Sequence, residues 1–174
     1  MRLLKLALLV LSLALLAAVA VLLLRDDSVE VTTGEPVVLS VSELSAFAED
    51  VGHPVYWLGE REGAKYELTE TANRRVYIRY LNGDAEAGDE RADFITVATY
   101  PAQNGVAELR AAKKANDNAK LARTDDDAVL LVDPSSPDNA HLAYPGADLQ
   151  VEVFSPFPGQ ALRLASRGKV ETLP

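Results

Sequence analysis

Few side chains in this sequence are equipped for chemistry. It holds two histidines, His53 and His141, and no cysteine. Without a thiol there is no disulfide framework, thiolate zinc site, iron–sulfur cluster or cysteine nucleophile. A diacylglyceryl lipid anchor, which needs a cysteine, is excluded as well. His53 lies between Gly52 and Pro54, a loop setting, and His141 opens a short strand after a Pro-Asp-Asn turn. A Ser–His–Asp triad can be assembled on paper from either, but no Gly-x-Ser-x-Gly elbow is present. No His-Glu-x-x-His pair occurs either. Both histidines therefore read as structural or surface groups, and no residue is assigned a catalytic role.

Two acidic stretches invite a metal test. Asn82, Asp84, Glu86 and Asp93 fall at positions 1, 3, 5 and 12 of a twelve-residue window, as a calcium loop requires. Position 6, which needs glycine for the sharp turn, is Ala87, and Gly88 comes one place late. Asp89 occupies the apolar position 8. The window reads as a solvated loop. So does Asp125-Asp126-Asp127, since adjacent carboxylates repel one another and turn to water. No metal or cofactor is expected.

Tyr56 and Trp57 are the side chains left as a ligand-binding platform, since aromatic faces stack on sugars. Their flanks, Val55 and Leu58, favour the core instead, because tryptophan in an apolar run is usually buried.

The N-terminus carries a stronger signal than any of these. Between Lys5 and Arg25 run 19 residues, Leu6 to Leu24, broken only by Ser12. As a helix they span about 28 Å, matching a hydrocarbon core of about 30 Å. A cleaved signal peptide is the competing reading: Ala18-Val19-Ala20 has the small-x-small form, but Val21-Leu22-Leu23-Leu24 follows it. The expectation is an uncleaved anchor over 1–25, contacting the lipid bilayer through residues 6–24. Arg2 and Lys5 precede the run, so the positive-inside rule keeps the N-terminus cytoplasmic and puts 26–174 outside.

Three of the 17 Lys and Arg lie in the first 25 residues and all 26 Asp and Glu lie beyond, so the remainder carries −12. Such a surface repels nucleic acid and anionic headgroups.

A stalk over 26–39 is expected to lead into one α+β domain over 40–174, with a mainly antiparallel sheet and about three helices. Ser40 and Glu43 form a capping box for a helix to Val51, whose apolar face is Val41, Leu44, Phe47, Ala48 and Val51. Gly52 and Pro54 end it. The period then falls to two: a short strand at 55–58, a hairpin over 64–70 and 75–80 turning at 71–74, a polar loop at 82–93, and a strand at 94–99. Strand 55–58 is expected beside the hairpin, with Trp57 near Tyr66, Leu68, Val76 and Ile78. A second helix runs from Asn104 as cap to Lys114, with Val106, Leu109 and Ala112 inward. Residues 115–127 read as a mobile loop, followed by strands at 128–132, 140–144 and 149–154. A last helix is expected to start from Ser155 as cap with Pro156 at its first position, to bury Phe157, Ala161, Leu164 and Ala165, and to close at Gly168.

Pro54-Val55-Tyr56-Trp57-Leu58-Gly59, Tyr66-Glu67-Leu68-Thr69, Val76-Tyr77-Ile78-Arg79-Tyr80-Leu81, Thr96-Val97-Ala98-Thr99-Tyr100-Pro101 and Val132-Asp133-Pro134 together resemble an uncharacterised family of single-pass, membrane-anchored extracytoplasmic proteins from high-GC Gram-positive bacteria. The resemblance spans roughly residues 54–153. It implies the anchored topology and carries no functional residue. The expected function is a non-catalytic extracytoplasmic module that binds or supports an envelope protein or cell-wall component. A cell-envelope hydrolase with a dispersed active site is the alternative.

Overall fold

The computed structural model describes residues 30–174. The apolar run 6–24, and with it the expected anchor, lies outside the described residues. Among the described residues no helix is long and apolar enough to cross a membrane.

The elements follow in the order β1 (Val37–Leu39), α1 (Val41–Asp50), β2 (Tyr56–Trp57), β3 (Lys65–Glu70), β4 (Val76–Leu81), β5 (Ile95–Pro101), α2 (Gly105–Ala115), β6 (Lys120–Arg123), β7 (Val129–Val132), β8 (Asn139–Ala143), β9 (Leu149–Phe154), α3 (Gln160–Ser166) and β10 (Glu171–Thr172). Eight strands make one sheet in the order β1-β3-β4-β5-β9-β8-β7-β6, and each neighbouring pair is antiparallel. The fold is a mixed α+β domain with a large antiparallel sheet and, among the described residues, three helices.

Alternation along the strands sorts side chains onto two unlike faces. One face is closed. It carries Leu68, Ile78, Val97, Val151 and Val153, each at most 0% exposed. Leu44 and Phe47 of α1, Val51 directly after it, and Ala161, Leu164 and Ala165 of α3 belong to the same core. The capping box of α1 is formed: the Glu43 amide donates to Ser40 Oγ and the Ser40 amide to Glu43 Oε2.

β2 does not join the hairpin. It pairs with β10, which the sequence reading did not contain, in a separate two-stranded ribbon. Side chains from the sheet hold that ribbon. The Tyr56 amide donates to Thr99 Oγ1 (3.0 Å) and the Leu58 amide to Tyr80 Oη (2.6 Å).

Among the described residues, the second face is covered only at its two ends. At one end α2 lays Leu109 against Val129, Leu131 and Ala143. Gly105 permits this approach, because a Cβ there would lie 2.1 Å from the Leu149 carbonyl oxygen. Asn104 caps α2 as expected, accepting the Ala107 amide at 3.0 Å, whereas Ala112 is exposed. At the other end the loop after β4 folds back, so that Leu81, Ala85 and Phe94 form a small cluster.

Three further readings are corrected. Residues 37–39, assigned to the stalk, are the edge strand β1, with Val37 opposite Leu68 and Leu39 opposite Tyr66. The stretch 115–127 contains β6, paired with β7; all four of its residues are exposed, so it shows no alternation to read. The last helix begins at Gln160, not Pro156. Pro158 disfavours helical backbone at Phe157, and Gly159 sits at φ +74. Phe157 is accordingly 63% exposed, while the intended cap Ser155 is buried.

Candidate functional site

The middle of the second face, between α2 and the 82–93 loop, is where unlike side chains converge. Register fixes the arrangement. Tyr77 of β4 stands opposite Ala98 of β5, Ala98 opposite Glu152 of β9, and Glu152 opposite His141 of β8. One row across four strands therefore reads Tyr77, Ala98, Glu152, His141. The next row places Thr96 opposite Phe154, and Phe154 opposite Asn139. Ala98 has the shortest side chain among them, so its neighbours rise around it as walls. The result is a cup of about 180 Å³, lined by Tyr77, Thr96, Ala98, Tyr100, Asn139, Glu152 and Phe154. Its wall residues are half-buried, neither packed away nor free in water.

The walls are held in place. The rings of Tyr77 and Tyr100 meet edge to face, centroids 5.9 Å apart and planes at 69°. Tyr100 Oη donates to Glu152 Oε2 at 2.5 Å. Burial, then this bond to the carboxylate, pushes the Tyr100 hydroxyl well above the usual phenol range, so it remains a donor at neutral pH. The Arg75 guanidinium lies 5.3 Å from the centre of the Tyr100 ring. Among the described residues, no hydrogen bond engages Glu152 Oε1, the Asn139 side-chain amide or the His141 ring.

A second recess of about 400 Å³ adjoins the cup through Asn139 and runs under the end of α2 past Asn116, Asp133, Ser136 and His141. Asp133 is already committed. Ser135, then Asn116, hydrogen-bond its carboxylate and hold it below the usual carboxylate range.

The residues singled out from the sequence fall elsewhere. Trp57 is 4% exposed on the closed face, edge to face with Tyr66 at 5.8 Å. Tyr56 is 8% exposed and stacks on Tyr144 at 4.9 Å. Neither presents a face to a ligand. His53 ties loops together, its two ring nitrogens lying 3.0 and 3.1 Å from the carbonyl oxygens of Pro54 and Arg74. In the acidic window Arg91 pairs with Asp89 at 2.6 Å and lies 3.9 Å from Asp84. Asp126 accepts from Thr124 and Tyr144 hydroxyls. Among the described residues no three His, Asp or Glu side chains converge as a metal site would need. The single Ser-x-x-Lys spacing, Ser166 to Lys169, straddles the end of α3, where Gly168 at φ +59 breaks the helical turn that would stack lysine on serine.

The cup escaped sequence reading because its lining comes from four strands, β4 and β5 from one part of the chain and β8 and β9 from another, with α2, β6 and β7 between them. A signal was present, since Tyr77, Tyr100 and Phe154 hold aromatics at alternation positions where a solvent-facing strand would carry charges. No protein-family model, no curated protein and no solved structure matches this chain.

Proposed function

We propose that the protein is a membrane-anchored, extracytoplasmic, non-catalytic binding module that holds a cell-wall component on the open face of its sheet. The anchored topology rests on the run Leu6–Leu24 with its basic flank, and on the resemblance to a family of single-pass envelope proteins. The binding role rests on one observation: the middle of the second face carries half-buried aromatic and hydrogen-bonding side chains that no element among the described residues covers. Protein partners usually dock on a contiguous apolar patch. Here the large exposed apolar residues, Val38, Leu121, Phe157 and Leu162, are spread over both sheet edges and the α3 region. A recessed cup suits a small polar group of a polymer better than a flat protein surface.

A hydrolase remains the second reading, because His141 stands opposite Glu152 and shares a recess with Ser136. Against it, no hydroxyl hydrogen-bonds the His141 ring among the described residues, and a nucleophile needs its base within about 2.6–3.2 Å.

Both parts of the proposal are tested in intact cells with a photo-crosslinking amino acid at Thr96, and at Asp84 as a control. The chain should stay in the membrane pellet through alkaline carbonate. The Thr96 position should give adducts that collapse on digestion with a wall-degrading glycosidase. Adducts of discrete protein mass, equal yields from Asp84, or a soluble chain beginning near Val21 would each overturn it.

A further inference from the structure

We propose that the cup centred on Ala98 binds an alkylammonium group. This inference rests on the open-face reading and names the chemistry that the face recognises.

The first observation is the arrangement of the rings. A platform for a neutral sugar presents a broad aromatic face on which the sugar lies flat. Tyr77 and Tyr100 instead meet at 69°, one ring's edge toward the other's face, with Phe154 on the diagonal and Ala98 as the floor. Walls at steep angles around a small floor enclose a compact head group. Ring faces carry negative quadrupole charge, so aromatic walls attract a cation, most strongly where water is partly excluded. The half-buried state of these rings supplies that exclusion.

The second observation is the carboxylate in the wall. Tyr100 fixes Glu152, a lining residue of the cup, through Oε2, and Oε1 makes no hydrogen bond among the described residues. An ammonium can donate to that oxygen while its methylene groups contact the rings. The same oxygen repels a phosphate or carboxylate ligand. The wider field agrees, because the chain beyond residue 25 carries −12 and concentrates cations at its surface.

The third observation is a cation already in place. The Arg75 guanidinium rests 5.3 Å from the Tyr100 ring centre, so this ring already makes one cation–ring contact of the kind proposed. Arg75 belongs to the exposed strand end, not to the cup lining, so the cup itself is left for an incoming group. A volume of about 180 Å³ takes an amine with a short alkyl stem, as at the end of a lysine-like side chain.

The test titrates the isotopically labelled full chain in a non-ionic detergent with propylammonium chloride, followed by backbone amide resonances. N-acetylglucosamine and sodium acetate serve as parallel titrants. Propylammonium should shift the resonances of Thr96, Ala98 and Glu152 with saturation, and acetate should not. Glu152→Gln is nearly isosteric and should weaken propylammonium at least tenfold while leaving the spectrum dispersed. Tyr77→Leu should weaken it as well. Shifts with N-acetylglucosamine alone would overturn the ammonium inference and leave the open-face reading standing. No shift at the cup with either titrant would overturn both. Equal affinity in Glu152→Gln, or equal shifts with acetate, would overturn the ammonium inference.

Discussion

Replacing Glu67 should unfasten one end of the sheet. Its side chain is 1% exposed, on the second face of β3, where alternation would put a solvated carboxylate. Both of its oxygens are used: Oε1 accepts Arg79 Nη1 at 2.7 Å and Oε2 accepts the Gly88 amide at 2.6 Å. Arg79 also donates through Nη2 to the carbonyls of Asp89 (2.7 Å) and Arg91 (2.9 Å), and lies 4.9 Å from the Phe94 ring centre. The pair thus clamps the 82–93 loop onto the hairpin. Removing one partner of a buried pair costs about 3–5 kcal/mol. The Arg79 side chain is 21% exposed and keeps some water, which sets Glu67→Leu at the lower end, about 3 kcal/mol. Glu67→Gln keeps an acceptor for the Gly88 amide but turns an NH2 donor toward the Arg79 guanidinium, losing that charged hydrogen bond, so about 1.5–3 kcal/mol is expected. The double variant Glu67→Leu/Arg79→Leu removes both charges, and replacement of a buried pair by apolar groups is often close to neutral. It should recover most of the loss. Urea denaturation followed by Trp57 emission measures this, because Trp57 lies on the opposite face and reports global unfolding. Amide exchange in residues 82–93 should accelerate in the single variants. The reasoning fails if Glu67→Leu shifts stability by less than about 0.5 kcal/mol, the scatter of ordinary surface changes, or if the double variant is worse than either single one.

Trp57→Ala should cost about 3–5 kcal/mol, a large part of the 5–15 kcal/mol that holds such a domain together. Trp57→Phe should come within about 1 kcal/mol of the parent, since the buried Nε1–H has no partner among the described residues and an orphaned donor itself costs about 1–3 kcal/mol. Wild-type emission should be blue and poorly quenched by iodide; unchanged melting of Trp57→Ala would refute the placement. Alkali gives an independent check. Burial above all pushes the hydroxyls of Tyr56, Tyr80, Tyr100 and Tyr144 above their ordinary value of 10.0. The folded state therefore holds these protons more tightly than the unfolded state. Their contribution is complete below about pH 10 and declines as pH rises further. Phenolate absorbance from these four should appear together with unfolding, and full ionisation near pH 10 in a folded domain would contradict it.

What the sequence made legible were the elements whose signals are local. The Ser40–Glu43 box, the Asn104 cap and the hairpin alternation each act within a few residues, and each formed. β6 and β10 were not legible, because short exposed strands take their conformation from a neighbour and leave no pattern of their own. The last helix was misplaced because Ser155-Pro156 is a plausible start only if Pro158 and Gly159 are ignored. The two site residues offered, Tyr56 and Trp57, belong to the core, and the cup depends on contacts the sequence does not order. Ala98 meets Glu152 only because β9 pairs with β5, which the chain reaches after α2 and three intervening strands.

The contrast between the two faces of one sheet carries the functional argument further than any single residue. Val97, Val151 and Val153 point to the closed face, and their next neighbours Ala98, Glu152 and Phe154 point to the open one. Had selection acted only on stability, the open positions of β5 and β9 would be either apolar and covered or charged and solvated. They are neither. Half-exposed rings give up part of the roughly 1.5–3 kcal/mol that full burial of a large apolar side chain contributes. A carboxylate held by a tyrosine hydroxyl gives up rotameric freedom while its second oxygen has no hydrogen bond among the described residues. Both costs are offset when a ligand covers the rings and bonds the free oxygen. An open sheet face with its polar groups fixed in advance is therefore what a binding surface requires, whereas catalysis would also require a proton acceptor fixed beside a nucleophile. The ring of His141 makes no hydrogen bond to a proton acceptor or nucleophile among the described residues, which is why the binding role is the one proposed.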